Sequence, residues 1–288
     1  MFFQMLSNAL VSGLLMGGVY ASVAIGLTLI FGVMNIINFA HGSFMMLGMY
    51  VAYWLFTGLG LNPYISLVPS FLILFFLGAV IHKFIIIHSS DAQNILLITL
   101  GIALFLDNFA AFLWTPDYRS IEIPTLAKSL FIGYLAISIP RLIAFIFAIL
   151  LTIGLYIFLK TTTIGKSIRA ISDNIEGARS VGINIKKISL ISFAIGAGCV
   201  GAAGAVITPF YSISPFVGLV FVIIAFVVVV LGGMGNFWGT FLGGLIVGLG
   251  ESLGATYLPG SLQQFFIYFV FILILLFRPQ GILGGKRA

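Results

Sequence analysis

Charged residues are scarce in this sequence of 288 residues: Asp, Glu, Lys and Arg together make up 7% of it. Soluble domains carry about 25% charged residues, and here 61% of the positions are hydrophobic. This composition excludes a soluble globular enzyme and indicates an integral membrane protein. No stretch is long and polar enough to form a separate soluble domain, so we expect one transmembrane domain over residues 1–288.

Cysteine and other metal-ligating residues are also few. The single cysteine, Cys199, cannot form an intrachain disulfide, and its apolar, glycine-rich surroundings favour a role as a small packing residue. The three histidines are scattered, and no His, Cys, Asp or Glu cluster has the spacing of metal ligands. No nucleophile and base stand in a recognisable arrangement either. We therefore expect no metal site and no catalytic residues.

A phosphate-binding loop is missing as well. Gly165, Lys166 and Ser167 match the last three positions of the P-loop pattern G-x-x-x-x-G-K-[ST], but its first glycine falls on Lys160. No strand is predicted before this stretch. The chain itself is therefore expected to bind neither ATP nor another cofactor.

Long apolar runs dominate what the sequence does contain. A helix needs about 20 apolar residues to cross the hydrocarbon core, so the chain has room for about eight to ten spans. The sequence therefore predicts an all-α, polytopic helical bundle. Its first residues lack positive charge, so we expect the first span there and not a cleaved signal peptide. The nine predicted spans cover residues 5–31, 38–56, 64–87, 93–114, 139–159, 188–207, 217–231, 241–254 and 262–277.

Polar but uncharged residues interrupt the first apolar runs at GVMNIINFAHGSFMMLG, residues 32–48. Asn35, Asn38, His41 and Ser43 lie there without any charge that would mark an ordinary loop, which predicts a broken or bent membrane helix. Their side chains are candidates to line a translocation path for a zwitterion, or to bind backbone groups that the break frees. For His41, a structural hydrogen bond is favoured over proton transfer.

A second glycine-rich interruption, GGMGNFWGT, occupies residues 232–240. The pieces NFAHGSFMMLG at Asn38 and NFWGTFLGG at Asn236 both follow an apolar run that ends in a turn containing Gly and Met. Transporters often contain duplicated halves with broken helices at matching positions. The similarity indicates either a weak internal repeat or a chance resemblance within a sequence of low diversity.

One long polar segment, residues 160–187, stands between two apolar runs and carries six of the thirteen Lys and Arg residues. Charges are costly in hydrocarbon, so this segment must lie outside the bilayer, and its clustered positive charge places it on the cytoplasmic side. Alternating spans put the 82–92 turn and the C-terminal tail there too. Ten positive residues are then inside, and the N-terminus is outside. This arrangement explains the net charge of +6 without nucleic-acid binding. The positive residues left outside are Arg119, Lys128 and Arg141.

Within this segment, Glu176, Gly177, Ala178 and Gly182 match the spacing E-A-A-x-x-x-G, with glycine in place of the middle alanine. That pattern is similar to the loop by which importer permeases engage their ATPase, although its later I-x-L-P is absent here. A short helix of small residues would fit a cleft on the ATPase, and the last glycine lets the chain turn back to the membrane. Together with Asp173, these residues form the candidate coupling site. The alternative is an ordinary solvated connector between spans.

The wider sequence resembles the permeases of high-affinity branched-chain amino-acid ABC importers, the LivH type. The similar pieces are spread over almost the whole chain: GLTLIFGVMNIINFAHGSFMMLG, GKSIRAISDNIEGARSVGIN, VLGGMGNFWGTFLGGLIVGLGE and FRPQGILG. The resemblance implies a multi-pass permease of the bacterial cytoplasmic membrane that transports leucine, isoleucine, valine or a related small polar solute. It also implies a homologous second permease, two ATPase subunits that use ATP to drive alternating access, and a periplasmic or lipid-anchored solute-binding protein.

Two acidic residues lie within apolar segments, Asp107 and Glu251, and they bear on whether the chain has a different function. Glu251 either lines the path or pairs with a partner subunit, or it lies in water at the outer interface. Asp107 is about two helical turns from Trp114, which favours an interfacial or helix-packing role. An ion-coupled secondary transporter would need such a charge at the membrane midplane. A third interpretation is a structural membrane subunit with no path of its own.

Overall fold

The computed structural model describes residues 2–89, 91–123, 129–259, 262–278 and 280–284, without the side chains of residues 262–267 and 270. Most of these residues lie in helices, which confirms the predicted helical membrane architecture. A 3₁₀ turn covers Ile86–His88, and a β-hairpin is formed by β1 (Ser129–Ile132) and β2 (Leu135–Ser138). The helices are α1 (Phe2–Met34), α2 (Ala40–Leu59), α3 (Leu67–Phe84), α4 (Ala92–Trp114), α5 (Ile139–Thr161), α6 (Thr163–Asp173), α7 (Ile175–Ser180), α8 (Ile185–Ile207), α9 (Val217–Gly232), α10 (Phe237–Tyr257) and α11 (Leu262–Phe277).

Each of the nine predicted apolar segments contains one helix, namely α1 to α5 and α8 to α11. Six of these helices, α1 to α5 and α8, are long and apolar enough to cross a membrane alone. α9 and α10 meet at a bend of 119° and add a seventh span if the pair counts as one. The predicted nine spans counted α9, α10 and the 16-residue α11 separately. Within the described ranges, length and composition support six or seven membrane spans.

α1 and α8 form the centre of the bundle. In an apolar window of 18 residues taken from each helix, the buried share is 83% for α1 and for α8. It is only 28% for α4 and for α5. α4 and α5 instead expose apolar side chains such as Phe105 and Leu150. Because lipid tails surround apolar side chains as favourably as a protein core does, this outer layer suits a bilayer. Cys199 is buried within α8 and packs there as a small side chain.

Glycines let the central helices touch backbone to backbone. At the crossing of α1 and α8, a methyl group on Gly26 would lie 2.6 Å from the carbonyl oxygen of Gly196. Where α1 crosses α10, a methyl group on Gly17 would lie 2.6 Å from the Cα atom of Leu245. Gly13, one turn earlier, is also close to α10, since a methyl group there would lie 2.9 Å from the Cα atom of Leu249. The Gly13 and Gly17 pair therefore permits the close helix approach that its spacing predicts.

One end of the bundle carries the β-hairpin and is called the hairpin end. The Asn8 amide of α1 donates to the carbonyl of Tyr134 at 2.9 Å, and the Asn8 side-chain oxygen accepts from the N–H of Ala136 at 3.0 Å. The spans predicted from the sequence leave residues 115–138 as the connection between two helices, so the hairpin was missed. Gly133, with a φ of +62°, forms the turn between two short apolar runs and was the available signal.

The opposite end is called the basic end, because it carries the polar segment of residues 160–187. The α1–α2 and α9–α10 breaks lie there too, together with a tail stretch formed by residues 280–284. Three positive residues that entered the predicted charge balance lie outside the described residues: Lys128, Lys286 and Arg287.

The tail stretch packs onto the break between α9 and α10. The N–H groups of Ile282 and Leu283 donate to the carbonyls of Leu231 and Gly232, at 2.9 and 3.1 Å. The side-chain amide of Asn236 donates to the carbonyl of Leu283 at 2.8 Å. The first two bonds satisfy carbonyl groups that the end of α9 leaves without a helical partner.

Candidate functional site

Three capped helix starts build the polar segment at the basic end. The side-chain oxygens of Thr162, Asn174 and Asn184 each accept a hydrogen bond from the backbone N–H three residues later, at 2.9, 2.8 and 3.1 Å. These residues precede α6, α7 and α8, and each satisfies an N–H group that a helix start leaves unpaired. The segment is therefore an ordered pair of short helices between α5 and α8.

The inner side of this segment packs on the bundle. Ile168 and Ile171 of α6 and Ala178 of α7 are each 3% exposed. Ala178, one of the predicted coupling residues, therefore faces the core of its own chain, where its small side chain lets α7 lie close to the bundle. The buried residues that complete this cluster are Leu29, Val33, Leu159 and Ile188.

The outer face of α7 is formed by Ile175, Glu176, Arg179 and Val181. All four residues are exposed, and the exposed fraction is 47% for Ile175 and 76% for Val181. Aliphatic side chains that reach water beside charged ones form a small surface on which another protein can bind. Sequence reasoning missed Ile175 and Val181, although two aliphatic residues in a polar stretch were a usable signal.

Gly182 ends α7 in the left-handed conformation, with a φ of +83°. The N–H of Ile183 donates to the carbonyl of Ala178 at 3.1 Å, as in a Schellman turn. The predicted role of Gly182 in turning the chain back to the membrane therefore has a structural basis. The predicted coupling residues that lie at the surface are Asp173, Glu176, Gly177 and Gly182.

The break between α1 and α2 covers residues 35–39 and confirms the predicted interruption. Asn35 adopts a φ of +50° there. The N–H of Phe39 donates to the hydroxyl of Thr99 in α4 at 3.3 Å, and the next N–H donates to the side-chain oxygen of Asn38 at 3.1 Å. Protein groups thus satisfy backbone groups that lipid cannot. Thr99 was missed, because nothing in its own apolar run points to this partner.

The other polar side chains of this region are sealed between helices. Asn38, His41 and Ser43 are at most 2% exposed. Nε2 of His41 lies 2.9 Å from the carbonyl oxygen of Val23 in α1, so a hydrogen bond there requires the proton on Nε2. The Ser43 hydroxyl donates to the carbonyl of Ala103 in α4 at 3.5 Å. These contacts hold α2 against α1 and α4 and keep the three side chains away from solvent.

Asp107 lies inside α4 and is 8% exposed. The Ser43 side chain of α2 lies beside its carboxyl group. Within the part of the chain that the structure describes, Oδ1 of Asp107 has no hydrogen-bond partner. The side chain thus lies at a contact between α2 and α4, in the helix-packing position that the sequence suggested.

Glu251 ties α10 to α1, because its carboxylate accepts a hydrogen bond from the hydroxyl of Tyr20. Tyr211, in the connection between α8 and α9, lies close by. Burial raises the pKa of the Tyr211 phenol, and Glu251 and Tyr118 add to the shift. Tyr20 is one helical turn from the α1 residue that binds His41, yet no contact in the described residues joins Glu251 to the α1–α2 break. The structure does not bring the five path candidates together.

A cavity of about 1110 Å³ opens at the basic end. It connects the predicted path residues with the predicted coupling residues, because Asn35 of the α1–α2 break and Asp173 of the polar segment both line its wall. Among the described residues, no group of three or more His, Cys, Asp or Glu side chains is arranged to hold a metal ion. Other residues of the cavity wall include His82, Ile86, Ile171, Ile175, Lys186 and Ser189.

Comparison with known proteins gives matches over almost the whole chain. A family model described as "Branched-chain amino acid transport system / permease component" matches residues 9–275. The chain is 32% identical over 293 residues to the high-affinity branched-chain amino acid transport system permease protein BraD of Pseudomonas aeruginosa, covering 96% of this chain and 94% of the relative. It is 30% identical over 294 residues to LivH of Escherichia coli K12, covering 95% and 94%.

A different permease type is also similar. The probable branched-chain amino acid transport permease protein LivM of Methanocaldococcus jannaschii is 26% identical over 184 residues, covering 54% of this chain and 53% of the relative. No solved structure matches the chain significantly.

Proposed function

Because this chain belongs to the family of branched-chain amino acid transport system permease components, we propose that it is one of two permease subunits in an ATP-driven importer of leucine, isoleucine and valine. The match over residues 9–275, which runs from α1 into α11, is the observation that carries the proposal. BraD and LivH are named for branched-chain amino acid transport and are matched almost end to end. The substrate is proposed by analogy with them.

The basic end faces the cytoplasm in this proposal. Clustered Lys and Arg residues stay on the cytoplasmic side of a membrane protein, and residues 160–187 carry six of the thirteen in the chain. Lys83 in the last turn of α3 and Arg278 after α11 belong to the same end. The hairpin end then faces outward, where a solute-binding protein would deliver the amino acid.

A second permease completes the membrane part. The similarity to LivM supports a partner that is homologous to this chain, and the translocation path would run between the two. Asn35 keeps its assignment to the path, since it reaches the cavity. Asn38, His41 and Ser43 support the α1–α2 break, and Glu251 positions α10 through Tyr20.

The outer face of α7 is the proposed contact with the ATPase. Ile175 and Val181 supply apolar area, Glu176 and Arg179 supply charges, and the rest of α7 is fixed by its caps and by buried Ala178. A rigid surface of this kind transmits movement of the ATPase to α5 and α8, the two helices that flank the segment. ATP would be bound and hydrolysed by the partner alone.

Purification of the tagged chain from its native membrane tests this assembly. We expect a second permease and an ATPase with a P-loop to co-purify in mild detergent. The reconstituted assembly should take up radiolabelled leucine only when ATP is supplied with the solute-binding protein. A chain that purifies alone, with uptake that survives ATP depletion and follows a proton or sodium gradient, would overturn the proposal.

Asp107 distinguishes ATP-driven from ion-coupled transport. Asp107→Asn keeps the size and polarity of the side chain beside Ser43 but removes the charge that a coupling ion would need. Because ATP supplies the driving force, we expect leucine uptake to stay within about twofold of the wild type. Ser43→Ala serves as the matched control for the contact itself. Uptake that vanishes in Asp107→Asn alone, at normal membrane level, would support ion coupling.

A further inference from the structure

The cavity at the basic end has the size of a ligand site. Small-molecule sites occupy about 300–1,000 Å³, and this cavity, at about 1110 Å³, is slightly above the upper end of that range. Its described wall comes from many parts of the chain. The contributing parts are the α1–α2 break, the 3₁₀ turn, α6 to α8, the α9–α10 break and the tail stretch.

A buried histidine in the wall lacks a partner. His82 of α3 is only 2% exposed and packs on the ring of Phe193, at 5.6 Å between ring centroids. Within the described residues, Nδ1 of His82 has no hydrogen-bond partner. Buried polar atoms are rarely left unpaired, because each one costs free energy. Because His82 lines the cavity, a polar ligand there would satisfy this atom once the imidazole ring turns toward it.

The charges of the wall fit a zwitterion. Lys186 of α8 and Asp173 of α6 both line the cavity and are exposed, and neither forms an ion pair with another described residue. They offer one cation to an α-carboxylate and one anion to an α-ammonium group. In the same wall, Ile86 and Ile171 are buried, and Ile175 adds an exposed aliphatic side chain. This apolar wall suits a branched aliphatic side chain.

We infer that this cavity binds the transported branched-chain amino acid from the cytoplasmic side and that its occupancy slows the importer. The identity of the ligand and the side of entry rest on the proposed function. Asp173 and Ile175 belong both to the cavity wall and to the polar segment that would contact the ATPase. An amino acid held between Asp173 and Lys186 therefore fixes α6 and α7 relative to α8. Accumulated product thereby opposes the movement that ATP drives.

Direct binding of L-leucine tests the site. The complete permease and ATPase assembly, purified without its solute-binding protein, is titrated with radiolabelled L-leucine in the absence of ATP. Lys186→Gln is expected to raise Kd by about fivefold to tenfold, since it removes one exposed charge-assisted contact. The neighbouring Lys187→Gln is the matched control, because Lys187 is exposed but does not line the cavity. Absent binding, or equal Kd values in both variants, would overturn the inference.

The effect on transport separates this inference from the proposed function. Proteoliposomes are loaded with L-leucine on the side of the basic end, and the initial rate of ATP-driven uptake is measured. We expect internal leucine to slow uptake in the wild type and in Lys187→Gln. Lys186→Gln should need about fivefold to tenfold more internal leucine for the same effect. Normal uptake that ignores internal leucine refutes the cavity site alone, whereas absent leucine uptake refutes the proposed function.

Discussion

Gly26→Val is expected to remove almost all correctly folded protein from the membrane. Even a methyl group at this position would lie 2.6 Å from the carbonyl oxygen of Gly196 and 3.0 Å from Cε1 of His41. Overpacking a core usually costs about 1–3 kcal/mol, because side chains can move aside. Here the obstacle is the backbone of α8, and the displaced imidazole also holds the carbonyl of Val23. We therefore expect a loss of more than about 3 kcal/mol.

Gly101→Val is the matched control for this substitution. Gly101 also lies within an apolar helix, but a methyl group added there meets no other atom within 4 Å. The melting temperature in mild detergent and the amount of monodisperse protein are the measurements. A Gly26→Val protein as stable as Gly101→Val would show that α1 and α8 do not cross at these two glycines.

Val181→Asp is expected to uncouple transport without disturbing the fold. Val181 is 76% exposed, so the substitution buries no charge in this chain. At a contact with the ATPase, however, the new carboxylate would lose water without gaining a partner. Central interface residues of this kind cost about 2 kcal/mol or more, which predicts at least a tenfold loss of co-purified ATPase and of leucine uptake.

Ser167→Asp provides the control for added charge. It places the same charge on α6, partly exposed and away from the outer face of α7. Membrane level and melting temperature should be unchanged in both variants, and only Val181→Asp should release the ATPase. Equal uptake by the two variants at equal membrane level would remove α7 from the coupling role.

The sequence predicted where helices form better than how they face one another. Apolar runs located the nine apolar helices, and polar or glycine-rich interruptions located both breaks. The buried side of α1 could not be predicted, because lipid-facing and core-facing positions are equally apolar and leave no amphipathic pattern. Glycine was the exception, since the spacing of Gly13 and Gly17 predicted a close helix contact that the structure contains.

The candidate sites show the same difference between features that are local in sequence and features that depend on distant contacts. The polar segment of residues 160–187 was recognisable because its charges and its glycine act locally. Thr99, Tyr20 and His82 were not, since each acquires its significance from a group distant in sequence: the N–H of Phe39, the carboxylate of Glu251 and the cavity wall. Ala178 shows the converse, because the motif suggested a role for it and only packing shows that it faces inward.

The tail stretch also sets an order of events during synthesis. The carbonyl groups of Leu231 and Gly232 find their partners in Ile282 and Leu283, which the ribosome adds only after α10 and α11. Until then the end of α9 carries carbonyl groups without these partners, a costly condition at the edge of a membrane. The nascent chain is therefore unfinished at its basic end until Ile282 and Leu283 arrive, and a chain that stops short of them lacks these two hydrogen bonds at the end of α9.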